Sequence, residues 1–471
     1  MSLAAHEARV AHDLACLNLP GGDWTRPRGH AEGHVYDAVI VGGGQSGLGA
    51  AFALLRERVS NILVIDENPP GCEGPWDTYA RMITLRTPKA ITSIDMGVPS
   101  LTFRAYWEAL HGPEGWAALD KIPRGDWMAY LRWYRRVLDL PVRNDTRLAL
   151  IEPLTPGLFR LALADGGSLI ARKLILATGI QGGGGWHTPP MIADALPREH
   201  YAHTSETIDF DALRGRRIAI LGAGASAFDN AQHALAAGVA AAHVFVRREA
   251  LPTVNPIRFM EGAGLIPRFA ALGDAEKYAF MASFFDRNQP PTNDTFQRAA
   301  AYPGFELHLG SPWLDVAERD GAIAVKTPHG TFDYDFLILS TGLVTDPALR
   351  PELARVADRI ARWRDRYAPP SGANPLIDAH PYLGQGFQLQ PRDPADAPLL
   401  HGLFSFNYSA LISLGLSAAA LSGLKYALPR LGTAVADQLF LDDRDGFIAD
   451  YLRYDEPEFV GRWERQAEAA E

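Results

Sequence analysis

The chain has 471 residues, 47% apolar and 21% charged, with a formal net charge of -10. That length supports two or three packed domains, and the acidic balance argues against a nucleic-acid or anionic-membrane partner. The two cysteines, Cys16 and Cys72, lie too far apart in sequence to act as a redox pair, which excludes dithiol electron transfer.

Residues 1–34 read as an N-terminal extension. Met1 to Asn18 carries Glu7, Arg9 and Asp13 and has no continuous apolar core, so an export signal is not expected and a cytoplasmic location is. The strand pattern Val39-Ile40-Val41 then runs into Gly42-Gly43-Gly44-Gln45-Ser46-Gly47. In such a turn the first glycine permits the sharp strand-to-helix reversal, and the second lets a pyrophosphate approach the backbone. The free N–H groups of the helix that follows face the phosphates. The next strand, Asn61 to Ile65, ends at Asp66-Glu67, an acidic tip suited to a ribose with free hydroxyls; Asp66 is the better placed, with Glu67 as the alternative.

A further strand, Lys173 to Leu176, leads through Ala177-Thr178-Gly179 to the flexible run Gly182 to Gly185. A second turn follows at Ile220-Leu221-Gly222-Ala223-Gly224-Ala225-Ser226-Ala227, and the strand beyond its helix ends at Arg247-Arg248. Two guanidinium groups and no carboxylate at that tip suit a ribose carrying a 2′-phosphate, so the second ligand reads as NADPH rather than NADH. Asp335 to Ser340, followed by Thr341-Gly342, echoes the earlier crossing strand. The apolar stretch from Tyr408 to Leu428 is interrupted by serines and holds Lys425, so a buried helix is expected rather than a membrane span.

These elements predict an α/β protein with two Rossmann-like dinucleotide-binding domains, the second inserted into the first. The expected boundaries are 35–185 with 335–432 for the first domain and 186–334 for the second, with a helical insertion at about 253–300 and a C-terminal tail at 433–471. Two dinucleotides in one chain imply hydride transfer between them. No zinc-ligand spacing and no nucleophile elbow is evident, so no metal is expected.

Between Val35 and Leu424 the chain resembles the single-component flavin-containing monooxygenases, which include Baeyer–Villiger enzymes and amine N-hydroxylases. The resemblance rests on both glycine turns, on Ser226 and Asp229 after the second, and on the crossings at Thr178-Gly179 and Thr341-Gly342. It implies FAD at the first turn and NADPH at the second. Gly74-Pro75-Trp76 is similar to the family's Gly-Gly-x-Trp element, which implies that Trp76 covers the flavin. Leu85-Arg86-Thr87-Pro88-Lys89 is similar to its Asn-Thr-Pro-Lys segment, with Arg86 in the asparagine's place. Of the family's Phe-x-Gly-x-x-x-His signature only His203 survives, which weakens a Baeyer–Villiger assignment. Arg86, Thr87 and His203 are therefore the catalytic candidates, and Asn407 marks the helix whose backbone amides meet the flavin.

The resemblance implies a monooxygenase that consumes NADPH, forms a C4a-hydroperoxyflavin and oxygenates a nitrogen or sulfur atom of a small molecule. An NADPH oxidase or electron-transfer reductase on the same scaffold is the alternative. Small-molecule substrate and O2 are the expected partners, self-association is compatible with the chain, and no nucleic acid or membrane is expected. Asn255, Asn288 and Asn293 are candidate substrate contacts, although asparagine beside proline also reads as a turn or helix cap.

Overall fold

The computed structural model describes residues 2–463 except Pro20, Pro156 and Ser371. The first sheet begins with β1 (Gly33–Val41), whose apolar run is buried on both faces, as a central parallel strand requires. It continues through helix α1 (Gln45–Arg56), β2 (Ile62–Ile65), β3 (Val142–Arg143), β4 (Leu148–Thr155), β5 (Leu158–Leu163) and β6 (Ser168–Leu176). The spatial order is β3-β2-β1-β6-β5-β4. Val39 lies opposite Leu63 on one side and Leu174 on the other, and all three are buried in the main core.

The second sheet is built from β7 (Tyr201–His203), β8 (Arg217–Leu221), helix α2 (Ala225–Ala237), β9 (Ala241–Phe245), helices α3 (Asp274–Arg287) and α4 (Asn293–Ala300), and β10 (Phe305–His308). A small antiparallel sheet of β11 (Asp315–Arg319), β12 (Ala322–Thr327) and β13 (Gly330–Tyr334) packs near it. The strand β14 (Phe336–Leu339) completes the parallel order β10-β9-β8-β14-β7. The chain then returns to the first sheet only at β15 (Leu403–Ser405), which pairs with β6, and closes with the long helix α5 (Leu421–Arg453).

Two boundaries and one helix differ from the sequence expectation. Residue 335 does not return the chain to the first sheet, because β14 pairs with both β8 and β7 of the second; two crossing strands of similar composition belong to different sheets. The stretch from Tyr408 to Leu428 is not one helix. Gly415 adopts φ +69°, and a Cβ there would lie 2.7 Å from Phe269, so a short helix at Leu411–Leu414 ends before α5 begins. The presumed tail from residue 433 instead continues α5 to Arg453. Within the insertion, Pro256–Met260, α3 and α4 are helical. Among the described residues no helix is long and apolar enough to cross a membrane.

The crossings between the domains pair with each other. Gly184–Trp186 runs antiparallel to Leu343–Thr345, so the two connections form one small ribbon rather than two independent linkers.

Candidate functional site

The first glycine turn is held by its own neighbours. Gly42 has φ +106°, and a Cβ there would sit 2.5 Å from the Ala177 carbonyl, so no side chain fits. The Gly42 N–H donates to the Ile65 carbonyl at 2.7 Å. Gly47 packs against the Gly42 carbonyl, where a Cβ would come within 1.7 Å. Gly44 caps α1 without any side-chain cap, which leaves the first turn of the helix free to meet an anion. Ser46 is buried there, and Gln45 accepts from the Trp127 indole N–H at 3.1 Å.

Asp66 is drawn inward. Its Oδ2 accepts from the Gly43 N–H at 2.7 Å, and its Oδ1 accepts from the backbone and side-chain nitrogens of Asn68 at 2.8 and 2.9 Å. Burial pushes its carboxyl up, against these hydrogen bonds. A carboxylate offers about four lone-pair sites, so Asp66 retains roughly one for a ribose hydroxyl. Glu67 is exposed and lies 3.7 Å from Arg147.

Trp76 is buried with no partner for its indole Nε1, and the Arg86 Nε is likewise buried and unpaired. Buried donors of this kind mark a place where a ligand acceptor is expected. Together with the uncapped α1 and the tight turn at Gly42, they fit an isoalloxazine and its pyrophosphate.

The second turn repeats the arrangement. Gly222 has φ +143° and a Cβ there would meet the Ser340 carbonyl at 2.4 Å. Gly224 caps α2 without a side-chain cap, and open space lies where its Cβ would be. Ser226 is exposed at the helix start, and Ala227 is fully buried, which allows helix and sheet to pack closely. Arg247 is exposed and Arg248 partly so; Arg248 donates to the Asp286 carbonyl at 3.1 Å.

The two units meet at Arg86 and Asp229. The Arg86 guanidinium donates to the Asp229 carboxylate, and Thr295 Oγ1 donates to its other oxygen at 3.3 Å. Burial pushes the Asp229 carboxyl up while Arg86 opposes the shift. Thr87 is half-buried beside Arg86, and Arg258 of the insertion donates to the Arg86 carbonyl at 2.9 Å.

His203 sits in the crossing. Its Nε2 donates to the Gly342 carbonyl at 3.1 Å while its Nδ1 accepts from the Ser205 N–H at 3.2 Å, which defines a neutral imidazole. Burial lowers its pKa to about 4, and its ring stacks on Trp186 at 4.7 Å. Thr341 donates to the His187 carbonyl.

Asn407 ties the first-domain crossing to the chain's last third. Its Nδ2 donates to the Leu176 and Gly182 carbonyls and to Thr178 Oγ1 at 3.2–3.3 Å. Its Oδ1 accepts from the Ser409 N–H at 3.0 Å, and the Tyr408 N–H donates to the Gly179 carbonyl at 3.2 Å. The three candidate substrate asparagines lie at helix ends. Asn255 caps Pro256–Met260 through the Ile257 N–H, Asn288 ends α3 at φ +63°, and Asn293 is exposed at the start of α4.

One bridging residue went unseen in the sequence. Arg81 donates to the Tyr79, Thr204 and Glu206 carbonyls at 2.7–2.8 Å, and burial lowers its pKa to about 10. Nothing local marks its bridging role, because Thr204 and Glu206 lie more than a hundred residues away in sequence.

Two uncapped helix N-termini, each following a parallel strand of its own sheet, joined by a paired crossing and an inter-domain ion pair, define a two-dinucleotide flavin oxidoreductase. Residues 39–181 match the FAD-NAD(P)-binding family model, and residues 117–262 match that of L-lysine 6-monooxygenase/L-ornithine 5-monooxygenase. The chain is 68% identical, over 100% of both sequences, to an FAD-dependent urate hydroxylase of Xanthomonas campestris pv. campestris. Its fold is similar to ornithine hydroxylase of Pseudomonas aeruginosa, with TM-score 0.69 and 18% identity over 86% of this chain and 100% of that one. L-lysine 6-monooxygenase of Pseudomonas syringae gives TM-score 0.64 and 18% identity over 86% and 99%. The chain belongs to the flavin monooxygenase family and is an FAD-dependent, NAD(P)H-linked oxidoreductase.

Proposed function

We propose that this protein is an NADPH-dependent hydroxylase of urate or a closely similar anionic purine. The observation that carries the reading is full-length 68% identity to a urate hydroxylase. Bound FAD supplies the acceptor for the NADPH hydride and the activation of dioxygen.

The chain's residues bind and enclose. Gly42, Gly44, Gln45, Ser46 and Gly47 take the FAD pyrophosphate, Asp66 the ribose, and the buried Trp76 indole faces the ring system. Gly222, Gly224, Ser226 and Ala227 take the NADPH pyrophosphate, and Arg247 and Arg248 the 2′-phosphate. The ion pair of Arg86 and Asp229 holds the flavin-side loop against α2, and the hydrogen bonds of His203 and Thr341 hold the crossing. With FAD and NADPH bound, these contacts would help keep water from the space between the two units, as flavin chemistry with dioxygen requires.

Turnover of urate with NADPH under labelled dioxygen tests the proposal. A product carrying one labelled oxygen, with NADPH consumed in equal amount, supports it; NADPH oxidation giving peroxide and unchanged urate overturns it. A second reading, N-hydroxylation of a diamino acid, is favoured by the family match at residues 117–262. Labelled hydroxylamine product from ornithine or lysine, with urate inert, would establish that reading instead.

A further inference from the structure

The second sheet carries a group of side chains that neither dinucleotide uses. His243 on β9 and Glu306 on β10 are register partners on adjacent parallel strands. His308, two residues beyond Glu306, projects from the same face of β10, since strand side chains alternate. The three residues bring one ligand atom each to within 4.8 Å of one another. Glu306 Oε2 lies 3.5 Å from His243 Nδ1 and 3.1 Å from His308 Nε2.

We propose that His243, Glu306 and His308 form a binding site for one zinc-class divalent ion, with solvent completing a tetrahedron. Zinc–nitrogen and zinc–oxygen bonds of about 2.0–2.1 Å put neighbouring ligand atoms of a tetrahedron roughly 3.3–3.4 Å apart. The two separations from Glu306 bracket that value, and the two imidazole nitrogens lie within 4.8 Å of each other, so an ion requires side-chain shifts without movement of the strands. Two imidazoles and a carboxylate suit zinc, or cobalt as its spectroscopic substitute, over magnesium or calcium.

The surroundings are compatible with entry and retention. His308 Nε2 is buried beside the Glu306 carboxylate, and its ring is fixed by stacking on Phe245 at 4.4 Å and 7°. Glu306 is 57% exposed, which opens a path from solvent. Two features oppose binding. The Tyr334 hydroxyl lies 2.8 Å from His243 Nδ1 and must turn aside, and the Arg217 guanidinium lies over the Tyr334 ring at 5.6 Å. An ion here would clasp the edge strand β10 to β9, with His243 four residues before Arg247.

Titration of the tag-free, FAD-loaded full chain with cobalt(II), followed by zinc displacement, is the test. One equivalent of cobalt with the strong visible absorption of a tetrahedral site, released by zinc, is the expected result. Glu306→Gln and His308→Gln should each weaken binding at least about tenfold while keeping their flavin. Glu306 is exposed, so its variant remains readable even if His308→Gln fails to fold. Absence of saturable binding, octahedral spectra, or equal affinity in the Glu306 variant would overturn the proposal.

Discussion

The Arg86 guanidinium, on a loop of the first domain, is ion-paired with the Asp229 carboxylate, which is only 6% exposed on the first turns of α2. Asparagine at position 86 would remove that charge and leave Asp229 buried with Thr295 alone. Breaking a fully buried pair costs about 3–5 kcal/mol; Arg86 is 24% exposed, so roughly 2 kcal/mol is expected here. Arg86→Asn should lower Tm and the yield of product per NADPH. Asp229→Asn added to it should restore part of the stability, because the orphaned charge is gone. Purely additive losses in that double-mutant cycle would show that the pair carries no coupling.

Cofactor choice is expected to depend on the tip of β9. Replacing Arg247 and Arg248 with alanine removes charge-assisted contacts worth about 1.5–3 kcal/mol each. The KM for NADPH should rise on the order of 100-fold or more while that for NADH changes little. Parallel losses with both nucleotides in steady-state assays would assign the 2′-phosphate to other residues.

Flavin retention should be sensitive at Gly42 and Asp66. Gly42→Ala places a methyl group against the Ala177 carbonyl and strains a backbone at positive φ, so purified protein should be largely colourless. Asp66→Asn must satisfy donors on both oxygens with one carbonyl, and should weaken FAD binding about tenfold. Flavin content by absorbance after dialysis reads both effects.

Histidine 203 predicts a pH dependence of stability. Its pKa is about 4 in the folded protein against an ordinary 6.5, because of burial. The unfolded chain therefore binds the extra proton between these values, and stability rises with pH across that window. The contribution is about 3 kcal/mol, complete above pH 6.5. His203→Gln, which can still donate and accept, should flatten denaturant midpoints between pH 4 and 6.5 without adding a limb to the NADPH pH–rate profile.

Asp442 on α5 works in the opposite range. Burial alone would raise its carboxyl, but His401 at 2.7 Å and Lys173 at 2.8 Å hold it down to about 2. A depressed carboxylate stabilises the fold above its ordinary 3.8 and loses that contribution as pH falls through 2. Asp442→Asn should cost about 2 kcal/mol at neutral pH and remove the steep part of acid unfolding below pH 4. Unchanged acid unfolding in the variant would assign that step to other carboxylates.

The sequence by itself determined the parts whose physics is local. A strand, a glycine turn and a helix are specified within about thirty residues, because only glycine tolerates the backbone at Gly42 and Gly222 and only small residues let the helix start lie close to the sheet. The Arg247-Arg248 tip and the absence of a cysteine pair are equally readable along the chain, as are the asparagines beside proline. What only the tertiary structure decided depends on groups distant in sequence. Similar crossing strands had no local sign of which sheet each would join, so the domain boundary moved past β14. Asp66 is largely occupied by Gly43 and Asn68, and Arg86 pairs with Asp229 of the second domain. His243 met Glu306 only because β9 and β10 lie side by side in register. Backbone conformation is written residue by residue, whereas charge pairing and ligand clusters follow from which surfaces the packed sheets bring together.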